Sequence, residues 1–448
     1  MKKILVGLFI FIVSSNCSFD NKTGIWKDER ELKKSTNKKY EKLENVFAQN
    51  QVFNKEIQVG KSFKITIDPP YKNKNWSEKY HNHTNNVSNF YYKNKKEIIL
   101  KNSKFSKSSD MSNAIIYNNH LLYHDGKGTI FVYSFSAQGK ILEYNFYKKK
   151  FKKYKKKIYL IAENNKIYAA DNLGYIYALN LDTGKIIWAK NFGIPFRSNI
   201  KIIDDQLILS NQDNIIYSIK ISNGDKNWEF STTPTVLKTK FENNILVDDK
   251  NSSILFLNTS GELYSINYLN RKINWFFNFS RSMSKEITEL FSATPLVLKE
   301  EGILLSTGNL VHYYDSYTGE KKWNKFLPLN IKPTVTKENI FLITKNKFLI
   351  CLDSSSGKII WSRKINKINK NKELEKKLKK INKIKNLMIV NSQVFLFSSS
   401  GYLIIFDNKN GELISVNKIL NSGLSSDPFF IDGYMYLFDK KKRLFKYQ

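Results

Sequence analysis

Ala178-Leu-Asn-Leu-Asp-Thr-Gly184-Lys-Ile-Ile-Trp188 is the stretch whose reading decides the fold. An apolar strand runs into a short polar turn, the turn closes on a glycine, and a second strand carries a tryptophan four residues later. The pattern returns at Ser218-Ile-Lys-Ile-Ser-Asn-Gly224-Asp-Lys-Asn-Trp228, at Tyr313–Gly319–Trp323 and at Cys351–Gly357–Trp361. A fifth copy, Ser265–Arg271–Trp275, has arginine where the glycine stood. Two further copies turn at Gly139 and Gly411, with Glu143 and Ser415 in the tryptophan position. The turns fall at 139, 184, 224, 271, 319, 357 and 411, so the spacing is 38 to 54 residues. A repeat of roughly 40–45 residues, each a small meander of strands, is the signature of a β-propeller. Asp, Asn, Thr and Ser supply side-chain bonds to a tight hairpin, and glycine supplies its positive φ. A tryptophan on the outer strand has the area to pack against the next blade.

Around these hairpins lie further strands, such as Lys166–Ala170 and Gln206–Ser210. After the seventh copy the chain holds three more strands, Asp427–Ile431, Tyr434–Phe438 and Arg443–Tyr447. One N-terminal strand would complete an eighth blade and abolish the ring's sheet edges. The candidates are Ser62–Ile67 and the region around Trp76. The expectation is therefore an all-β, eight-bladed propeller of four-stranded antiparallel blades, with seven blades as the alternative.

Composition narrows the class. The net charge is +33, from 73 basic and 40 acidic residues, which invites a nucleic-acid reading. The lysines, however, are mixed with Asn and Ile along the whole chain, which is the imprint of an AT-rich genome, and nucleic acid is not the expected partner. Attraction to anionic headgroups or acidic partners remains. The two cysteines, Cys17 and Cys351, leave no disulfide in the folded body. Cys351 lies in the run Phe348–Leu352 and reads as a small buried hydrophobe.

The N-terminus reads as an export signal over residues 1–16: Lys2 and Lys3, then ten apolar or glycine residues from Ile4 to Val13, then Ser14-Ser-Asn-Cys17. Ten residues at ~1.5 Å each cannot cross a bilayer core of ~30 Å. This layout resembles a bacterial lipoprotein signal, which implies acylation at Cys17, although Asn16 replaces the usual small residue. Ser18, in place of Asp, implies sorting to the outer membrane of a Gram-negative bacterium, facing the periplasm. Residues 17–55, rich in Lys, Glu and Asn, read as a lipid-anchored tether, with a frayed helix over Asp28–Phe47. The propeller would occupy 56–448, with a Lys-rich insert at about 364–386 carrying a short amphipathic helix that docks on it.

The motif Ala178…Asp182-Thr183-Gly184…Trp188 resembles the tryptophan-docking repeat of pyrroloquinoline-quinone (PQQ) dehydrogenases and their non-enzymatic relatives. Signal, cysteine, tether and propeller together resemble the BamB-like lipoproteins of outer-membrane β-barrel assembly. Asn258-Thr-Ser-Gly261-Glu-Leu-Tyr-Ser265 and Asp432-Gly-Tyr-Met-Tyr-Leu437 are similar to the same group. The resemblance implies a scaffold with no catalytic residues and no cofactor. It also implies contact with the periplasmic domains of a barrel-forming subunit through two interblade loops, and an exposed sheet edge offered to unfolded outer-membrane proteins. Here the loops are Ser231–Asn243, with Leu237 and Lys238, and Ser280–Thr294, with Glu289 and Leu290. A hydrophobic residue beside a charge suits an interface anchor with a polar rim.

Two other readings stand beside this one. The chain could be a periplasmic propeller that binds a small ligand or a cell-envelope polymer. It could also be a quinoprotein dehydrogenase, but no Cys-Cys pair, Cys-x-x-Cys or haem signature occurs. His81 and His83, and His120 and His124, read as surface or turn histidines rather than metal ligands, because i, i+4 spacing does not converge on strands. Lys148–Lys157 reads as a solvated interblade loop.

Overall fold

The computed structural model describes residues 17–19, 26–28, 53–60, 63, 65–95, 97–101, 105–107, 109–147, 151–234, 240–282, 291–366 and 372–448. It divides into two units, 1–53 and 54–448. In the first, Cys17–Phe19 pairs antiparallel with Trp26–Asp28. The proposed helix over Asp28–Phe47 lies outside the described residues apart from Asp28.

The second unit is a ring of eight four-stranded antiparallel blades. Blades one to seven are uninterrupted meanders in chain order, from Ser109–Asn145 to Ile384–Lys418. Blade eight combines Phe429–Ile431, Tyr434–Phe438 and Leu444–Tyr447 with an outermost strand, Ile98–Lys101, from the N-terminal side. Ile98 pairs with Tyr447 and Lys101 with Phe445. The closing strand is thus neither Ser62–Ile67 nor the region around Trp76. The outer edge needs little burial, so the exposed Ile98 and Ile99 serve there, whereas Trp76 is buried elsewhere.

The core lies between blades. Ile158, Leu160 and Ala169 of blade two pack on Ile130 and Val132 of blade one, and Ile245, Val247 and Phe256 of blade four pack on Ile208 and Ile216 of blade three. Middle strands are covered on both faces, so they read as unbroken apolar runs such as Phe348–Leu352.

The outer hairpins repeat closely. Each has a register shift at the same place, beside the pairs Ala178–Trp188, Ser218–Trp228, Ser265–Trp275, Tyr313–Trp323 and Cys351–Trp361. In four of the five a small side chain faces the indole. The indole N–H of Trp188 donates to Ile221 O at 2.8 Å, Trp275 to Ser316 O at 3.1 Å, Trp323 to Ser354 O at 2.8 Å and Trp361 to Asn408 O at 2.9 Å. In each case the acceptor lies three residues before the next blade's glycine. That glycine lies flat against the ring: a Cβ on Gly224 would come within 2.4 Å of Trp188.

Blade one departs by one residue. Its left-handed turn residue is Gln138, at φ 50°, and not Gly139. The tryptophan position is therefore Leu142, which pairs with Val132 and packs under Gly184, rather than Glu143. In blade four Arg271 takes the glycine's conformation, at φ 64°.

The insert carries the helix Lys372–Lys379. Leu378 and Ile381 are buried with Ile365 in the core of blades six and seven, and Leu374 packs against it. Ile368 lies outside the described residues. Cys351 is buried, and burial pushes its thiol up.

Candidate interaction surface

An antiparallel meander sorts its connections by end. The turns after the first and third strands of each blade, including the glycine hairpins, lie at one end of the ring. The turns after the second strands and the interblade loops lie at the other. The two ends are built differently.

The hairpin end is closed by the chain itself. Residues Asn73–Phe90 circle the channel and bond in turn to the innermost strand of every blade. Asn73 takes the amide of Asp432 in blade eight at 2.8 Å. Trp76 pairs with Ile116 of blade one, and Ser77 O accepts from Ala162 of blade two at 3.0 Å. Blade three contributes Lys201, whose ammonium donates to Glu78 Oε1 at 2.7 Å, Asn82 O at 2.6 Å and Asn85 Oδ1 at 2.7 Å. Val247 of blade four bonds His83 O and Leu298 of blade five bonds Thr84 O, each at 3.0 Å. Asn86 Nδ2 donates to Val335 O of blade six at 2.7 Å, and Phe90 bonds Ile389 and Asn391 of blade seven. Inner edge strands carry unpaired backbone groups, and this cap satisfies them.

The Glu78–Lys201 pair is fully buried. Burial lowers the lysine, and Glu78 opposes that shift. All three ammonium hydrogens have acceptors, which is what makes a buried charge tolerable. His81 is wedged between Trp76 and Phe90, with ring centroids at 4.8 and 5.2 Å. Burial, then Lys332 and Lys201, hold it down at about 3, so it is neutral. His124 is also buried, on a strand, with Nδ1 3.1 Å from Asp125 O, and is not a surface histidine. His83 is bonded to Asp249 at 2.9 Å. Among the described residues no three His, Cys, Asp or Glu side chains come together as metal ligands.

Among the described residues no segment closes the loop end. Between blades three and four, Thr233 Oγ1 donates to Glu262 Oε1 at 2.7 Å and Asn258 Nδ2 donates to Thr232 at 2.9 Å. Phe241, at the far root of this loop, meets Phe291 of the next loop edge-on at 5.4 Å. The roots of the two loops are therefore one packed unit. Their tips, with Leu237, Lys238, Glu289 and Leu290, lie outside the described residues.

Toward the axis, Glu242 takes both Lys79, at 3.1 Å, and Lys157. Burial raises the carboxyl, but the two lysines override it and hold it at about 2. Lys156 is likewise buried, its ammonium on Phe151 O. The end of the Lys148–Lys157 run is thus anchored into the ring, because its lysines reach backbone oxygens and a carboxylate, and is not a freely solvated loop. Sequence reasoning missed Glu78, Lys201 and Glu242. The available signal was Lys201 itself, a charge inside the apolar run Ile200-Lys-Ile-Ile203.

The family model described as outer membrane protein assembly factor BamB matches residues 153–363 and 253–448, well over half of the chain. The chain belongs to the BamB family. It is 20% identical to the outer membrane protein assembly factor BamB of Moranella endobia (strain PCIT) over 273 residues, 56% of this chain and 64% of that relative. The chain therefore spans a little under two thirds of that relative's length. The crystal structure of BamB from Moraxella catarrhalis superposes with a TM-score of 0.60 at 12% identity, covering 79% of this chain and 99% of that one. A europium-containing methanol dehydrogenase gives 0.59 at 11% identity, over 81% and 89%. Both likenesses speak to the propeller fold alone, and it is the sequence model that selects BamB. Among the described residues no helix is long and apolar enough to cross a membrane.

Proposed function

We propose that this chain is a non-catalytic scaffold lipoprotein of outer-membrane β-barrel protein assembly. In this reading it is acylated at Cys17, held at the periplasmic face of the outer membrane, and binds the periplasmic domains of the barrel-forming subunit. The observation that carries the reading is the match to the BamB family model from residue 153 to the C-terminus. The structure adds a physical reason for the face used. The channel at the hairpin end is filled by the chain's own cap, which favours the loop end as the face offered to a partner. There the loops bearing Leu237 and Lys238, and Glu289 and Leu290, share the Phe241–Phe291 root. The outer strand of each blade offers a further edge to an incoming strand.

The test is affinity capture of the full-length protein from mildly solubilised native membranes. Recovery of a large outer-membrane barrel with periplasmic repeat domains is expected, reduced at least tenfold by Leu237→Ala with Lys238→Glu, the loss of about 1.4 kcal/mol or more from one interface anchor. Absence of that barrel from the capture overturns the scaffold reading. Its unchanged recovery with the double variant overturns the assignment of this loop.

A further inference from the structure

The open mouth of the channel has a chemistry that the scaffold role does not use. A cavity of about 200 Å³ lies between the cap and blades five to eight, on the loop-end side. Its floor is the inner side of the cap, with Trp76, Tyr80 and Val87, and its walls are the starts of the inner strands of blades five to eight. Three lysines line it, Lys79, Lys332 and Lys385, against a single carboxylate, Asp427.

Their partners differ. Lys79 is matched by Glu242. Lys332 and Lys385 are not matched: among the described residues no carboxylate comes within ion-pair distance of either ammonium. Lys332 donates to the carbonyl of Asn85 in the cap and stands 5.5 Å from the Tyr80 ring centroid. Lys385 reaches only Ser425 O, at 3.3 Å. Asp427 is exposed and accepts from Asn386 at 2.8 Å. Asp427 favours the charge on Lys385, while Lys440, Lys383 and Lys442 oppose it. One exposed carboxylate, Asp427, answers two ammoniums that face the same cavity, which leaves a net positive field there. The volume equals that of about six or seven liquid waters, at ~30 Å³ each, which is room for a small tetrahedral anion or a pair of linked ones. Lysines acting as point charges are suited to phosphoryl oxygens.

We propose that this mouth is a binding site for a phosphoryl oxyanion, free or on a lipid headgroup, held by Lys332 and Lys385 with Lys79 behind them. The site is independent of the loop tips assigned to the protein partner.

A bound anion also changes the state of Lys332. Burial first, then Lys201, lowers this lysine to about 7, while Asp427 and Glu78 oppose the shift. The other groups facing it are Lys79, Tyr80 and His81 on the cap. His81, at about 3, does not titrate near neutrality. An anion beside Lys332 favours its charged form, so binding takes up a proton at neutral pH and tightens as pH falls through 7. Sulfate keeps two charges throughout that range and therefore reports the protein alone.

The experiment is titration calorimetry of the full-length protein with pyrophosphate, and with sulfate above and below neutrality. Saturable pyrophosphate binding is expected, weakened about tenfold by Lys385→Gln and again by Lys332→Met, as for the loss of one charge-assisted hydrogen bond each. Lys250→Gln, an exposed lysine paired with Glu301, should leave it unchanged. Sulfate should bind more tightly on the acid side in the wild type and lose that dependence in Lys332→Met. Flotation of the Cys17→Ser chain, which has no acyl anchor, with phosphatidylglycerol vesicles, against phosphatidylcholine, separates the sources. Vesicle binding that Lys385→Gln abolishes assigns a lipid headgroup, and pyrophosphate binding without vesicle binding assigns a soluble phosphate. No saturable binding of pyrophosphate by the wild type, or binding indifferent to Lys385→Gln, overturns the proposal.

Discussion

At the scale of single residues, the ring is set by contacts between a side chain of one blade and the backbone of the next. Gly224 and Gly193 make the point as a pair. Both hold positive φ, 76° and 75°, but a Cβ at 224 meets Trp188 at 2.4 Å while at 193 nothing lies within 4 Å. Gly193→Ala should cost about 1–2 kcal/mol, the backbone term alone, and Gly224→Ala about 2–4 kcal/mol, with steric strain added. Thermal or urea unfolding checks the difference. The buried Lys201 gives a second prediction. Lys201→Met alone should destabilise by about 3–5 kcal/mol, because Glu78 is left charged and buried, and adding Glu78→Gln should recover part of the loss. Acid should act through neighbours of this pair. His81 is lowered from 6.5 to about 3, so the unfolded chain binds the extra proton and stability falls as pH drops between those values. Glu242, lowered from 4.5 to about 2, adds a loss below 4.5. His81→Gln should flatten the fall in unfolding midpoint between pH 6.5 and 4.5. Sequence reading reached the packing of each indole on the next blade because the tryptophan recurs in one repeated motif, but not that the next blade's glycine is what it meets. It could not reach Glu78–Lys201, since the partners stand 123 residues apart in unrelated local patterns. It misplaced the tryptophan position in blade one because Gln138, not Gly139, adopts the left-handed turn.

At the scale of elements, the closing strand is the informative one. Ile98–Lys101 lies at an outer edge with little burial, so hydrophobicity did not distinguish it from Ser62–Ile67. Register against the C-terminus did, through Ile98–Tyr447 and the paired amides of Glu97 and Gln448. Leu100→Pro removes a ladder donor and forces a kink. It should raise hydrogen exchange in Leu444–Tyr447 far more than in blade four. Equal exchange in both would mean that the ring is not held by this strand. The helix Lys372–Lys379 shows the opposite case. Its apolar spacing, with Leu374 and Leu378, was legible, because an amphipathic stripe needs only local sequence.

At the scale of the whole molecule, the eight blades follow from a repeat that can be counted, but the asymmetry between the two ends does not. Residues 73–90 carry no repeat. They are Asn-, Lys- and His-rich and read as a polar loop, because the bonds that place them run to all eight blades, to backbone groups in seven and to the Lys201 ammonium in blade three. Those bonds fill the channel at the hairpin end, and among the described residues nothing comparable fills it at the loop end, where the lysines of the axis face solvent.

The cap also imposes an order in time. It is made before any blade, yet its first attachment, at Asn73, is to blade eight, the last to be synthesised. The adjoining strand Ile98–Lys101 waits for the same C-terminal residues. An incomplete chain therefore holds its cap without the Asn73 attachment and without the Phe429 and Phe430 rings that pack on Trp76 and Phe90, however well its early blades have formed. Arrival of the last twenty residues docks strand and cap together, so the N-terminal segment works as a completion check. A chain stopped before Phe429 should be cut by protease within residues 73–90, and the finished protein should resist.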